Sequence, residues 1–547
     1  MPNTKRSYLI DVSLLMLILS AFFLLLLGNM PLHTPDEARY SLVSFELFQT
    51  NQYLVPKING VGFLDKPPLF YYAQMLMLKL FGNSEMTLRL PSTIASIVSC
   101  LILYVTARKL FDRTTAWYSA LILANFPLYF LMSHYANLDM MVASLIHATL
   151  CFFILSSTSA KPRYYLWTAY ATMALAMLTK GLIAVAFPCC IIFLYCAIYR
   201  IKPKLYLLEG VLIFCIIVLP WFIQMHFEVK GFSYYYFVIQ HFYRYLSQSF
   251  NNQQPIWFYA AIVAASSLPW LIFSKRESWS MKNPSIGFFV INFLFILLFF
   301  SIPSSKPIGY ILPAFPPLAF LLARSLSQQY RHQPFVGLSI ASIIIGLFFC
   351  YPWQALRAYY HDITPQALMI AMSGCIGLLI QLYFTSPLAL SKRKAKQRQH
   401  CFFTLICVTM MILNVNGLQF TQSLEHQSIK PIAEYLEDSD KKNTPIAMYH
   451  MFYYDLPYYS KERTIYAVDN WKKGLFKGDL LTEQFALGMQ YHAPKTFIKN
   501  SDFMTRWDNT TKPLYVVTNE HYSRVLLKKH GRLVFKYRGI YLLINKR

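Results

Sequence analysis

The chain has 547 residues, of which 56% are apolar and only 14% charged, and its 50 Lys and Arg outnumber 25 Asp and Glu for a formal net charge of +25. So few charges exclude an ordinary soluble globular chain. The basic residues fall in short loops between apolar runs, which is the positive-inside pattern of a membrane protein and not a nucleic-acid-binding face.

Several apolar runs reach the length of about 17–25 residues that crosses a bilayer. The first, Leu9–Leu27, has no small-residue cleavage site before Asn29 and reads as a retained helix, not a signal peptide. Hydropathy predicts about 13 spans, at 8–28, 87–107, 114–132, 138–157, 164–179, 182–199, 205–225, 256–273, 284–302, 308–323, 335–351, 366–386 and 400–419. With the N-terminus in the cytoplasm, the inner loops hold Lys5/Arg6, Arg108/Lys109/Arg113, Lys161/Arg163, Arg200/Lys202/Lys204, Lys275/Arg276/Lys282 and Arg324/Arg331. The run Lys392, Arg393, Lys394, Lys396 and Arg398 completes the set, and an odd number of spans puts the C-terminus outside. All ten cysteines lie in or beside spans, so neither a disulfide framework nor a cysteine metal site is expected.

Two outer segments are long enough to carry function, 29–90 and 226–255. After residue 420 the composition becomes that of a soluble domain. Ile446–Met451, Thr464–Val468, Leu514–Val517, Leu533–Tyr537 and Ile540–Ile544 read as strands, with His521–His530 as a helix among them. The expected plan is a polytopic α-helical membrane domain over 1–419 followed by a small outer α/β domain over 420–547. There is no internal repeat, P-loop or GxGxxG element to support nucleotide-driven chemistry.

Chemistry gathers at the outer helix ends. In Thr34-Pro35-Asp36-Glu37-Ala38-Arg39-Tyr40, Thr34 as N-cap and Glu37 at N3 read as a capping box with Pro35 at the first helical position. That pattern accounts for Glu37 and leaves Asp36 without a structural duty. Lys66, in Asp65-Lys66-Pro67-Pro68, opposes both the helix dipole and the positive-inside trend, and Lys306, four residues before Tyr310, repeats the oddity. A cation beside free helix N–H groups makes an anion site, while lysines snorkelling to lipid headgroups are the plainer alternative. His241 and Arg244 stand about one helical turn apart in an outer loop, and a guanidinium suits a phosphate. Asp139 after Asn137 favours a helix start, and Lys180-Gly181 reads equally well as a helix end.

At these residues the chain resembles the lipid-linked-sugar glycosyltransferases of the GT-C class, above all the aminoarabinose transferases of lipid A, relatives of the protein O-mannosyltransferases. The shared landmarks run in family order: Pro35-Asp36-Glu37-Ala38-Arg39-Tyr40, Lys66-Pro67-Pro68, Asn137-Leu138-Asp139, Thr179-Lys180-Gly181, His241-xx-Arg244 and Lys306-xxx-Tyr310-Ile311-Leu312-Pro313. This chain departs from the pattern at Asp65 and Gln240, where family members often have Glu. The resemblance implies an undecaprenyl-phosphate sugar donor, a lipid A phosphate as acceptor, the bacterial inner membrane with its lipids as the setting, and a monomer with its C-terminal domain in the periplasm. It also implies catalytic roles for Asp36, Glu37 and Asp139, donor-phosphate binding by Lys66, Arg244, Lys306 and Tyr310, and support from Arg39, Asp65, Lys180 and His241. Members can bind a divalent ion near the Asp65 and His241 positions, but two candidate ligands are too few to assign a metal here. The same fold acting on protein Ser/Thr or another envelope acceptor remains open. So does a lipid-linked-sugar flippase, although the repeats and broken midplane helices of transporters are missing from the sequence.

Overall fold

Hydrocarbon offers free peptide groups no partners, so an apolar run of span length satisfies its own N–H and C=O groups by coiling into a helix. The computed structural model describes residues 2–243, 253–328, 392–424, 428–437, 444–460, 463–469, 487–489, 491–492, 494–509 and 512–545. The first helices are α1 (Pro2–Leu24), α2 (Asp36–Thr50), α3 (Leu69–Phe81), α4 (Glu85–Leu110), α5 (Arg113–Asn125), α6 (Pro127–Ser133) and α7 (Leu138–Ser156). They are followed by α8 (Pro162–Lys180), α9 (Ile183–Tyr199), α10 (Leu207–Glu228), a π-helical segment Tyr234–Tyr243, α11 (Phe258–Ser267) and α12 (Pro284–Ser301). A 3-10 turn, Ile308–Ala314, runs into α13 (Phe315–Ser327), and α14 (Lys392–Leu424) closes the helical part.

A helix stands at every predicted span except 335–351 and 366–386, which lie outside the described residues, as does Arg244. Among the described residues seven helices are long and apolar enough to cross a membrane: Arg6–Leu24, Glu85–Leu110, Leu138–Ser156, Leu207–Glu228, Pro284–Ser301, Ile308–Ser327 and Gln399–Gln419. The chain is a polytopic helical membrane protein. Two expected spans are shorter than predicted, Ile183–Tyr199 and Phe258–Ser267. The second stops ahead of Pro269, whose ring nitrogen has no proton to continue the helical ladder. The predicted span 114–132 is broken: α5 and α6 meet at a bend of 68°, because Pro127 likewise interrupts the ladder. Asn414 of α14 donates from Nδ2 to the Asn125 carbonyl at this break, at 3.1 Å.

Cα proximity groups the chain into two units, one holding residues 1–27, 92–218 and 252–424 and the other 28–91, 219–251 and 425–547. The first is packed by aromatic stacks such as Phe22 on Phe130 and Phe289 on Phe320, with centroids 4.5 and 4.0 Å apart. One buried charge, Asp11, is met there by Arg113 Nε at 2.7 Å and the Tyr104 hydroxyl at 2.9 Å.

The second unit gathers most of both long outer segments with the C-terminal residues. Its short hairpin pairs β1 (Lys57–Ile58) with β2 (Val61–Gly62). Its sheet contains β3 (Ile446–Tyr449), β4 (Ile465–Asp469), β5 (Phe497–Lys499), β6 (Tyr515–Asn519), β7 (Gly531–Tyr537) and β8 (Ile540–Asn545), in the order β5-β4-β3-β6-β8-β7. The first four pair in parallel, and β8 joins β6 antiparallel with Tyr515 opposite Ile544. Arg538 and Gly539, both at positive φ, close the β7–β8 hairpin in the twist that two-residue turns favour. Helices α15 (Lys430–Glu437), α16 (Leu456–Tyr459), α17 (Asn500–Asn509) and α18 (Glu520–Lys528) accompany the sheet, and Phe503, Trp507 and Leu526 fill its core against Ala447, Val516 and Leu543.

Candidate active site

The site residues of the second unit are organised around the start of α2. That helix begins at Asp36 behind Pro35, and no side chain caps it. The expected Thr34–Glu37 capping box is therefore corrected. The helix starts one residue later than the box requires, and the carboxylate serves a buried arginine as well: Arg89 Nε and Nη2 donate to Glu37 Oε1 and Oε2 at 2.7 and 2.9 Å, with Glu37 and Arg89 side chains 0% and 1% exposed. Burial raises the Glu37 pKa, but the Arg89 charge and bonds together with His33 outweigh it and hold the carboxyl below its usual range. Glu37 still accepts the His33 N–H at 2.9 Å.

Asp36 behaves differently. Its side chain is 49% exposed and forms an ion pair with Arg39 one turn on. The Arg39 guanidinium also lies 5.3 Å from the Tyr40 ring centre and 5.8 Å from that of Tyr454. Burial works against the Arg39 charge, yet Tyr40, Tyr454, Asp36 and Asp65 outweigh it and raise the pKa above the usual arginine value. Asp65 is buried and accepts the Tyr235 hydroxyl at 2.6 Å and Gln240 Nε2 at 3.2 Å, while Gln240 Nε2 also donates to the Tyr235 oxygen at 2.6 Å. Lys66 follows it, half-buried, two residues before Pro68 precedes α3. His241 lies in the π-helical segment. Among the described residues no three His, Cys, Asp or Glu side chains come together in metal-binding geometry. Asp65 is already engaged by two neutral donors.

The first unit holds a separate cluster. Asn137 starts α7 by accepting the Asp139 N–H at 2.9 Å, which fixes Asp139 in the first turn. Lys180 ends α8, and Gly181 leaves the helix at φ +113°. The Lys180 ammonium donates to Asp139 Oδ1 and lies 3.8 Å from the Tyr310 ring centre. Gly309 completes the group, since a Cβ there would stand 2.7 Å from Asp139 Oδ2. Three residues named separately in the sequence thus form one contact group. Lys306, expected as a phosphate cation, is instead 3% exposed and donates to the carbonyls of Gln254, at 3.0 Å, and Pro303. In this structure the ammonium secures the segment ahead of Gly309 and Tyr310.

The sequence reading passed over Arg89, Tyr454, Tyr459 and Gly309. A signal existed for Arg89, a charge inside the predicted span 87–107, because charges within spans are costly and mark special sites.

Residues 65–223 match the family model described as dolichyl-phosphate-mannose-protein mannosyltransferase. An undecaprenyl phosphate-α-4-amino-4-deoxy-L-arabinose arabinosyl transferase of Proteus mirabilis is 30% identical over 332 residues, 58% of this chain and 60% of that one. A transferase of the same name from Aeromonas hydrophila is 29% identical over 64% of this chain and 68% of its own length. The chain is related to the aminoarabinose arabinosyl transferases. The match to the Proteus mirabilis transferase spans about three-fifths of that protein's length. The fold is shared along nearly the whole chain with ArnT from Cupriavidus metallidurans, crystallised with undecaprenyl phosphate, at TM-score 0.83, 22% identity and 98% coverage of each. The archaeal oligosaccharyltransferase AglB from Archaeoglobus fulgidus is a more distant neighbour at TM-score 0.52, 12% identity and coverage of 98% of this chain and 74% of that one. The arabinosyl transferase relationship agrees with the motif order from Asp36 to Pro313.

Proposed function

We propose that the protein is a glycosyltransferase that moves 4-amino-4-deoxy-L-arabinose, or another amino sugar, from undecaprenyl phosphate to a phosphate of lipid A at the periplasmic face of the bacterial inner membrane. The observation that carries this reading is Asp36, a half-exposed carboxylate paired with Arg39 at a firmly held helix start, in a chain whose relatives are named undecaprenyl phosphate-aminoarabinose arabinosyl transferases.

In the transfer, the bond between the anomeric carbon and the donor phosphate oxygen breaks and a phosphate oxygen of the acceptor forms the new one. The leaving polyprenyl phosphate gains charge, and Lys66, Arg244 and the Tyr310 hydroxyl are assigned to stabilise it. Asp36 faces the oxocarbenium-like carbon, as carboxylates do in glycosidases. An ionised acceptor phosphate needs little deprotonation, so Asp36 acts through its charge more than as a base. Asp139, with Lys180, is assigned to orient Tyr310, Arg39 to hold Asp36, and Lys306 to support the segment that carries Tyr310. Around this chemistry the proposal sets about 13 spans, a cytoplasmic N-terminus, a periplasmic domain over 420–547 and a monomer in the bilayer.

The match to a protein mannosyltransferase family model favours one second reading, transfer to a protein hydroxyl. Purified protein in lipid, supplied with the lipid-linked amino sugar and lipid A, should add the sugar to lipid A by mass spectrometry. In a Gram-negative host without its own such enzyme it should also raise polymyxin resistance. Unmodified lipid A beside a periplasmic protein that gains the mass of a sugar would select the second reading.

A further inference from the structure

Four consecutive residues ahead of Asp36 each have a backbone polar group held by a side chain. Arg89 donates from Nη1 to the Met30 carbonyl and from Nη2 to the Pro31 carbonyl, both at 2.9 Å. The Leu32 N–H donates to the Tyr459 hydroxyl at 2.8 Å, and the His33 N–H to Glu37 Oε2 at 2.9 Å. Irregular backbone commonly satisfies such groups with water or its own turns. Here three side chains do so, and they are anchored in turn. Arg89 grips Glu37 twice. The Tyr459 hydroxyl donates to Glu85 Oε1 at 3.2 Å, and the same oxygen accepts from Lys430 at 2.6 Å. Glu85 and Arg89 lie one turn apart at the start of α4, so both holds on the loop come from one rigid turn.

We propose that Arg89 and Tyr459 are positioning residues that fix the Asp36 carboxylate for transfer, Tyr459 acting from the C-terminal α/β part of the chain. The inference rests on the glycosyl-transfer reading for what Asp36 does. Neither residue is bonded to Asp36; both act through the 30–33 backbone, which ends three residues before it. A misplacement of about 1 Å at a reacting group can cost about 10²-fold in rate.

The test uses the full chain in lipid, with the lipid-linked amino sugar and lipid A. Tyr459→Phe keeps the ring packed on Tyr458, 5.0 Å between centres, and removes only the hydroxyl. Expected are a kcat per folded molecule lowered about tenfold to a hundredfold, an unchanged donor KM, a melting temperature lowered by the unpaired Leu32 N–H but still a single cooperative transition, and faster amide hydrogen exchange over residues 30–38. Arg89→Lys keeps a charge opposite Glu37 but loses the fork, so its kcat should lie between those of the parent and Arg89→Gln. An unchanged kcat per folded molecule in Tyr459→Phe overturns the inference, and so does unchanged exchange over 30–38. If the parent chain transfers no sugar while exchange rises in the variant, the proposed reaction fails and the hold on the loop stands.

Discussion

Replacing Gly309 by alanine should separate Asp139 from its neighbours while leaving the chain folded. The added Cβ would lie 2.7 Å from Asp139 Oδ2 and 3.3 Å from its Cβ and Cγ, where comfortable contacts lie at about 3.5 Å or more. Asp139 cannot simply swing away, because its other oxygen is held by Lys180 and its N–H by Asn137. Relief therefore demands a shift approaching about 1 Å in Asp139 or in the turn that carries Tyr310, and a shift of that size costs about 10²-fold in rate at a reacting site. Overpacking of one methyl costs about 1–3 kcal/mol in stability. The assay is transfer by purified protein, with kcat per folded molecule beside a thermal melt. Gly417→Ala is the control, since nothing lies within 4 Å of a Cβ there. Transfer by Gly309→Ala at the parent rate would refute the reasoning, since a crowded Asp139 would then not matter to the reaction.

Glu37→Gln leaves the Arg89 charge buried and half-paired, so it should lose about 3–5 kcal/mol; a melting temperature equal to the parent's would show that the pair does not bear on stability. Asp36→Asn should fold normally and lose about 10²–10³ in rate, measured by transfer from saturating donor, and full activity would remove Asp36 from the site. Burial raises the Asp455 carboxyl from 3.8 to about 6, despite the Ser428 hydroxyl and Ile429 N–H bonds to it. Between those values the folded state binds more protons than the unfolded one, so stability falls as pH rises through the window and levels off above it. The decline is at most about 3 kcal/mol; Asp455→Asn should abolish it in melts from pH 4 to 7, and an unaltered slope would place its origin elsewhere. A reporter fused after residue 547 should be active outside the cytoplasm, and cytoplasmic activity would overturn the odd number of spans.

The apolar helices among the described residues were legible because length and apolarity decide them in a membrane, and the β3, β4, β6, β7 and β8 strands because β-branched and aromatic runs stood between polar turns. β5 and α17 were not, being short and mixed in composition. Asp36 and Arg39 were named apart, although they stand at helical spacing. Asp139, Lys180 and Tyr310 could be named but not joined, since 41 residues separate the first two and hydropathy carries no contact information across such a distance. The Thr34–Glu37 box failed because the helix starts a residue later, behind Pro35, and a local pattern could not foresee that Glu37 also serves a buried guanidinium 52 residues away. The partners of Lys306 were hidden for a related reason: carbonyls freed by irregular backbone attract an ammonium as well as a phosphate would.

The break between α5 and α6 also bears on how far hydropathy measures the fitness of a span. At the bend a carbonyl is released into surroundings without water, and the amide of Asn414, itself 5% exposed, answers it from a helix nearly 290 positions along the chain. A leucine at that position would improve the hydropathy of α14 and leave the carbonyl unanswered, at a cost of several kcal/mol in a water-free interior. Raising the apolarity of α14 to improve insertion would thus work against the assembled protein at this residue. The polar side chain is one of the parts of that helix that recognise its neighbours.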